Sequence, residues 1–148
     1  MPIYIAQSDR EINSCFPVMQ QLRPHLDPES FVARVRRQQQ DGYQLAFLAI
    51  EDTGAEQVKA VAGFRISECL SAGKYLYVDD LVTQEGDRSQ GYGQEILQWL
   101  INYAKEQNCQ EFNLDSGVQR FAAHRFYFRQ RLEITCYHFV LKLDPLKG

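Results

Sequence analysis

The stretch Tyr77-Val78-Asp79-Asp80-Leu81-Val82-Thr83-Gln84-Glu85-Gly86-Asp87-Arg88-Ser89-Gln90-Gly91-Tyr92-Gly93 decides the fold. Its apolar and β-branched start reads as a strand ending at Thr83, followed by a polar loop and by glycines that open a helix. The helix announces itself through Ile96, Leu97, Leu100, Ile101 and Ala104, which recur at helical spacing up to about Asn108. Such a junction suits a pyrophosphate. Glycines let the backbone approach closely, the first helical amides are unpaired donors, and the helix dipole favours negative charge there. Arg88 adds a fixed positive charge, and the amides from Ser89 through Gln90, Gly91, Tyr92 and Gly93 are the expected cradle. A dinucleotide fingerprint would need a third glycine, and a Walker loop would end in Gly-Lys-Ser/Thr; neither is present.

Downstream of the helix, Glu111 to Leu114 reads as a strand, so the unit is a strand, helix, strand crossover of the kind that links parallel neighbours. A last helix is expected from Phe121 to about Arg131, and a terminal strand from Ile134 to Leu143. Upstream lie three strands with short turns, Tyr43 to Ile50, Lys59 to Ile66 and Tyr75 to Thr83, which form an antiparallel meander. Before them, Ile3 to Ala6 is a short apolar segment. Ser8 and Glu11 form a capping box opening a helix through about Leu22. A second helix carries Phe31, Val32 and Val35, shows Arg34, Arg36 and Arg37 on a charged face, and stops at Asp41-Gly42.

The 148 residues fit one domain, residues 1–148, large enough to bury roughly 70% of its unfolded surface. With 45% hydrophobic and 24% charged residues, the composition excludes disorder as the main state. No apolar run approaches the roughly 18 residues of a membrane span, and Met1 to Ile5 lacks the pattern of a signal peptide, so no membrane partner and a cytoplasmic location are expected. The four cysteines, Cys15, Cys69, Cys109 and Cys136, form no pair at metal-ligand spacing, so reduced thiols and no metal are expected. A formal charge of −3 argues against a duplex-DNA surface and for a cationic or neutral small substrate, with no nucleic acid partner.

Arg88-Ser89-Gln90-Gly91-Tyr92-Gly93 resembles the pyrophosphate signature of the GNAT superfamily, the coenzyme-A-dependent N-acetyltransferases. Tyr77 to Thr83 looks like that family's fourth strand, and Ala123-His124-Arg125-Phe126-Tyr127 resembles its later Ala-x-x-Phe-Tyr motif. Together the matches cover roughly residues 75 to 132. The resemblance implies an α/β fold of the α+β type: a mixed central sheet of six or seven strands, about four flanking helices, and a splay between the fourth and fifth strands. It further implies acetyl-CoA as cosubstrate, a bulge near Leu81, Val82 and Thr83 whose free backbone groups pair with the pantetheine arm, and a tyrosine, Tyr127, near the CoA sulfur. Two positions depart from the family pattern. Arg120 stands where an asparagine is common, and Arg131-Leu132 stands where Gly-Phe usually ends the tyrosine helix.

The reaction so implied is direct transfer of acetyl to a primary amine of a small molecule or peptide. Attack requires a neutral amine, so a nearby carboxylate can accept its proton through water. Asp79 and Asp80 are the candidates. Neighbours on a regular strand face opposite ways, so one of them at most serves as base. The resemblance favours Asp79, since polyamine-type members of that family carry an acidic residue at the matching place, two before the bulge. The departing thiolate needs a proton that a phenol such as Tyr127 can give. His124, one turn earlier, is within reach of the same helix face. The alternative is a noncatalytic acyl-CoA-binding regulatory domain of the same fold. The terminal strand is long and apolar enough to pair with a second copy, so a homodimer is expected.

Overall fold

The structure, a computed structural model, describes residues 2–87 and 90–144. Ten elements run in the order β1 (Ile3–Ile5), α1 (Asp9–Ser14), α2 (Phe16–Leu22), α3 (Phe31–Gln39), β2 (Gln44–Asp52), β3 (Ala55–Cys69), β4 (Gly73–Thr83), α4 (Tyr92–Glu106), β5 (Glu111–Leu114) and α5 (Phe121–Arg129). Residues up to Leu114 make one compact unit, and those from Asp115 make a second.

In the first unit the strands stand in sequence order, antiparallel from β1 through β4 and parallel between β4 and β5. The sheet has five strands among the described residues, fewer than the six or seven expected, and its mixed character is as the resemblance implied. The capping box forms as read: Ser8 Oγ accepts from Glu11 N (3.1 Å) and Glu11 Oε1 accepts from Ser8 N (3.0 Å). The single helix expected through Leu22 is instead two. Pro17 has no N–H to continue the ladder past Cys15, and it sits where a new helix tolerates proline.

Helices α1 to α3 cover one face of the sheet and α4 the other, giving two cores. Ile12, Phe16, Met19, Phe31, Leu45, Phe47 and Val61 fill the first. Leu48, Ala62, Phe64, Leu76, Ile96 and Leu100 fill the second. Strand β2 serves both through its alternation, which is why Leu45 to Ala49 reads as an unbroken apolar run.

Two bulges interrupt this sheet. Leu48 pairs with Ala60 but Ala49 with Val58, so Lys59 is the extra residue of β3. Gly63 pairs with Asp80 but Phe64 with Val78, so Asp79 is the extra residue of β4. The bulge expected near Leu81 to Thr83 is therefore two residues earlier. Val58 and Val61, three apart, pack on the same core because Lys59 has inserted a step.

In the second unit α5 is the only regular element among the described residues. It ends in a Schellman motif, with Leu132 N bonded to Tyr127 O (3.0 Å) and Arg131 N to Phe128 O (2.9 Å). Arg131 holds φ 69°, the left-handed conformation that a glycine would adopt at less cost, so the helix ends in the usual way despite the residue. The terminal strand expected over Ile134 to Leu143 does not form. Its residues are irregular, and Ile134, Tyr137, Phe139 and Val140 are exposed; a ladder needs a neighbour, and among the described residues this unit holds no other strand.

Candidate active site

Strand β4 is laddered on both sides only from Tyr75 to Val78, which pair with Glu111 to Leu114 of β5. From Asp79 to Thr83 it keeps β3 alone. The fourth and fifth strands therefore part at Val78, and the backbone of Leu81, Val82 and Thr83 borders the gap with no strand beyond it among the described residues.

Beyond Thr83 the loop is tied down twice. Gln84 N donates to Lys59 O (2.8 Å), and Lys59 Nζ, on a lysine only 8% exposed, pairs with Asp87 Oδ2 at 3.1 Å. From α2, Gln21 accepts from Glu85 N (2.8 Å) and donates to Gln84 Oε1 (3.2 Å). The bulge at Lys59 is what turns this side chain toward the loop. Arg88 and Ser89 lie outside the described residues.

After Gln90, whose N donates to Asp87 O, Gly91 caps α4 at φ 83°. A side chain there would meet no atom of the described residues within 4 Å, whereas its positive φ itself favours glycine. The first helical bond runs from Glu95 N to Gly91 O (3.1 Å), and no side chain of the described residues caps the end. The amides of Tyr92, Gly93 and Gln94 are thus the donors that a helix start offers to an anion.

On the other side of the β4 bulge a cavity of about 380 Å³ opens between α2, α3 and the β3–β4 pair. Met19, Leu26, Phe31 and Val35 form its apolar wall, and both Asp79 and Asp80 line it. The expectation that adjacent carboxylates must face opposite ways is overturned, since the bulge at Asp79 suspends the alternation that it rested on.

Each carboxylate has its own partners. Arg65 Nε donates to Asp79 Oδ2 (2.9 Å), and the same guanidinium reaches Gln38 Oε1, Asp41 O and the face of Tyr43, 5.4 Å from its ring centre. Arg23 Nε donates to Asp80 Oδ1 (3.0 Å) while its Nη2 donates to Asp79 O (2.9 Å). Tyr43 Oη completes the set by donating to Asp80 Oδ2 at 2.9 Å. Burial raises the Asp79 pKa above its usual value, against the opposing pull of Arg65. Burial, then the charge of Asp80, holds the Tyr43 phenol well above its usual range, so it stays a donor.

This cluster needs Gly63. A Cβ on Gly63 would overlap the Tyr43 hydroxyl and come within 2.6 Å of Asp80 Oδ2. Sequence reasoning missed Arg23, Tyr43, Gly63 and Arg65, because what joins them is cross-strand register. The arginines of α3 divide: Arg36 binds Asp9 (2.8 Å) and Gln39, whereas Arg34 lines the cavity.

In the second unit Tyr127 is half-buried on α5. Burial raises its phenol pKa, and Arg120, through its charge and a hydrogen bond, opposes the rise. Arg120, at the position where an asparagine is common, thus has Tyr127 of its own unit as a partner. The ring Nε2 of His124 lies 2.8 Å from Gly117 O, so that nitrogen is engaged within its own unit.

A family profile, Acetyltransferase (GNAT), matches residues 10–132. A protein of Bacillus subtilis strain 168 described as the uncharacterized N-acetyltransferase YhdJ is 32% identical over 120 residues, 81% of this chain and 82% of the relative. The chain belongs to the GNAT family of acetyltransferases. Solved structures similar in fold include a putative acetyltransferase from Agrobacterium tumefaciens (TM-score 0.79, 22% identity, covering 96% of this chain and 99% of that one). Another is glucosamine-6-phosphate N-acetyltransferase from Arabidopsis thaliana (TM-score 0.74, 18% identity, covering 97% of this chain and 100% of that one).

Proposed function

We propose that the protein transfers acetyl from acetyl-CoA directly to a primary amine of a small molecule or peptide. The observation that carries this reading is the coincidence, at one point of β4, of three features. There the strand loses its β5 neighbour, bulges at Asp79, and opens a cavity holding two carboxylates.

In this reading the pantetheine arm lies along the free edge of Leu81 to Thr83, and the pyrophosphate rests on the start of α4 beside Arg88. Asp79 receives the amine proton through water, with Arg65 fixing its orientation. Asp80, held by Arg23 and Tyr43, shapes the cavity rather than moving protons. Tyr127, a phenol protonated at neutral pH, donates to the departing thiolate. Among the described residues no group of metal-binding side chains is assembled, and the proposed steps call for none.

The experiment is CoA release from acetyl-CoA in the presence of pooled amines, amino acids, polyamines and peptides, alongside calorimetric binding of acetyl-CoA. Turnover with at least one pool is the expected result. Binding without turnover in any pool would favour a regulatory acyl-CoA-binding domain.

A further inference from the structure

The cavity at the β4 bulge carries more positive than negative charge. Arg23, Arg34 and Arg65 line it against Asp79 and Asp80, so three guanidiniums against two carboxylates leave one unit of positive charge. Moreover, the carboxylates are already matched. Asp79 holds Arg65 at 2.9 Å, and Asp80 holds Arg23 at 3.0 Å while accepting from Tyr43.

Arg34 is the surplus charge. Half-buried on α3, its guanidinium makes no hydrogen bond or ion pair with any described residue, although its backbone N donates to Ser30 O within the helix (3.0 Å). Its field reaches Asp27, where it is the smallest of the influences lowering that carboxyl's pKa, behind bonds from Ser30 and Glu29. Asp27 does not line the cavity, and its oxygens are taken by Ser30 N, Ser30 Oγ and Glu29 N. A guanidinium facing a cavity without a partner is suited to a planar or tetrahedral oxyanion, which it grips with paired donors.

A purely cationic amine would enter against net positive charge and would compete with Arg23 and Arg65 for the carboxylates. The chain's overall charge of −3 suggested a cationic or neutral substrate, but that charge is spread over the whole surface and does not describe this cavity. We propose that the acceptor is a primary amine that also carries a carboxylate or phosphate group, and that Arg34 binds this anionic group. The inference rests on the acetyltransferase reading and narrows its substrate class.

The test uses the full chain with acetyl-CoA and matched amines: amino acids against their amides, ω-amino carboxylates against n-alkylamines of equal length, and ethanolamine against its phosphate. Both kcat/KM from CoA release and calorimetric binding are measured. In at least one pair the anionic member should be preferred by roughly 10- to 100-fold, the range of a charge-assisted contact. Which pair it is tells carboxylate from phosphate. In Arg34→Gln the ratio should collapse toward one, and Arg34→Lys should restore part of it. Neutral members used as well as anionic ones, or a preference that survives Arg34→Gln, overturns the inference while leaving the transferase intact. Arg34-dependent binding of the anionic member with no CoA release from any amine overturns the transferase reading and leaves the anion selectivity standing.

Discussion

Val78 and Val82 lie four residues apart on one strand, yet Val78 packs in the core under α4 and Val82 in the core under α1 to α3. On a regular strand they would share a face. The single extra residue between them, Asp79, reverses the alternation, and it also sends Asp79 and Asp80 into the same cavity. The device that reconciles the two cores is therefore the one that builds the candidate site.

The fit of Tyr43 against Gly63 makes the cluster sensitive to one methyl group. Gly63→Ala should cost about 1 to 3 kcal/mol, as overpacking does, and shift the denaturant midpoint with little change in slope. Because the clash is with the Tyr43 hydroxyl first, adding Tyr43→Phe should recover part of the loss. A double variant no more stable than Gly63→Ala would show that the backbone, not the tyrosine, sets the limit.

Lys59 holds the loop ahead of α4 from within the sheet. Lys59→Met removes the charge but keeps most of the stem, leaving Asp87 without its partner, so KM for acetyl-CoA should rise about tenfold with a smaller change in kcat. Lys59→Arg should retain part of the affinity. Equal losses in kcat and kcat/KM would place the effect in the chemical step instead.

The pH dependence follows from the raised pKa of Asp79. A base works only when deprotonated, so activity should fall as pH drops through a folded pKa that lies above the usual 3.8. Removing the opposing pull of Arg65 with Arg65→Met should move this acid limb to higher pH. The stability sign is the reverse of a paired carboxylate's: the folded pKa exceeds the unfolded one, so Asp79's contribution is fully present below the unfolded value and is lost as pH rises through the folded value. Profiles of kcat/KM for wild type, Arg65→Met and Asp79→Asn check the assignment, the last of which should lack the limb.

Tyr127→Phe deletes one hydroxyl from a half-buried ring. Acetyl-CoA binding should be unchanged while turnover drops roughly 10²-fold where chemistry limits the rate. Wild-type turnover in this variant would exclude Tyr127 as the proton donor.

What could be read from the sequence was whatever one segment declares by itself. The period of Ile96 to Ala104 gave α4, Ser8 and Glu11 gave a helix start, and Gly91 and Gly93 marked where α4 opens. The two bulges were not legible, since Lys59 and Asp79 carry no local signature of being extra; only the registers of neighbouring strands define them. The same limit hid Tyr43 and Arg65 from Asp80 and Asp79. Ile134 to Leu143 misled for the opposite reason: its apolar composition suits a strand, but composition does not supply the neighbour. At Arg131 the local rule favours glycine, and the chain ends its helix with an arginine in the glycine conformation.

The parting of β4 from β5 at Val78 also sets up a gradient of backbone protection along a single strand. Amides of Tyr75 to Val78 sit between two neighbours, whereas half of the peptide groups from Asp79 to Thr83 face a gap. Hydrogen exchange should therefore be slow in the first half and faster in the second. A bound extended molecule that borrows those groups would act as a temporary sixth strand, and its arrival would be written as slowed exchange confined to five residues.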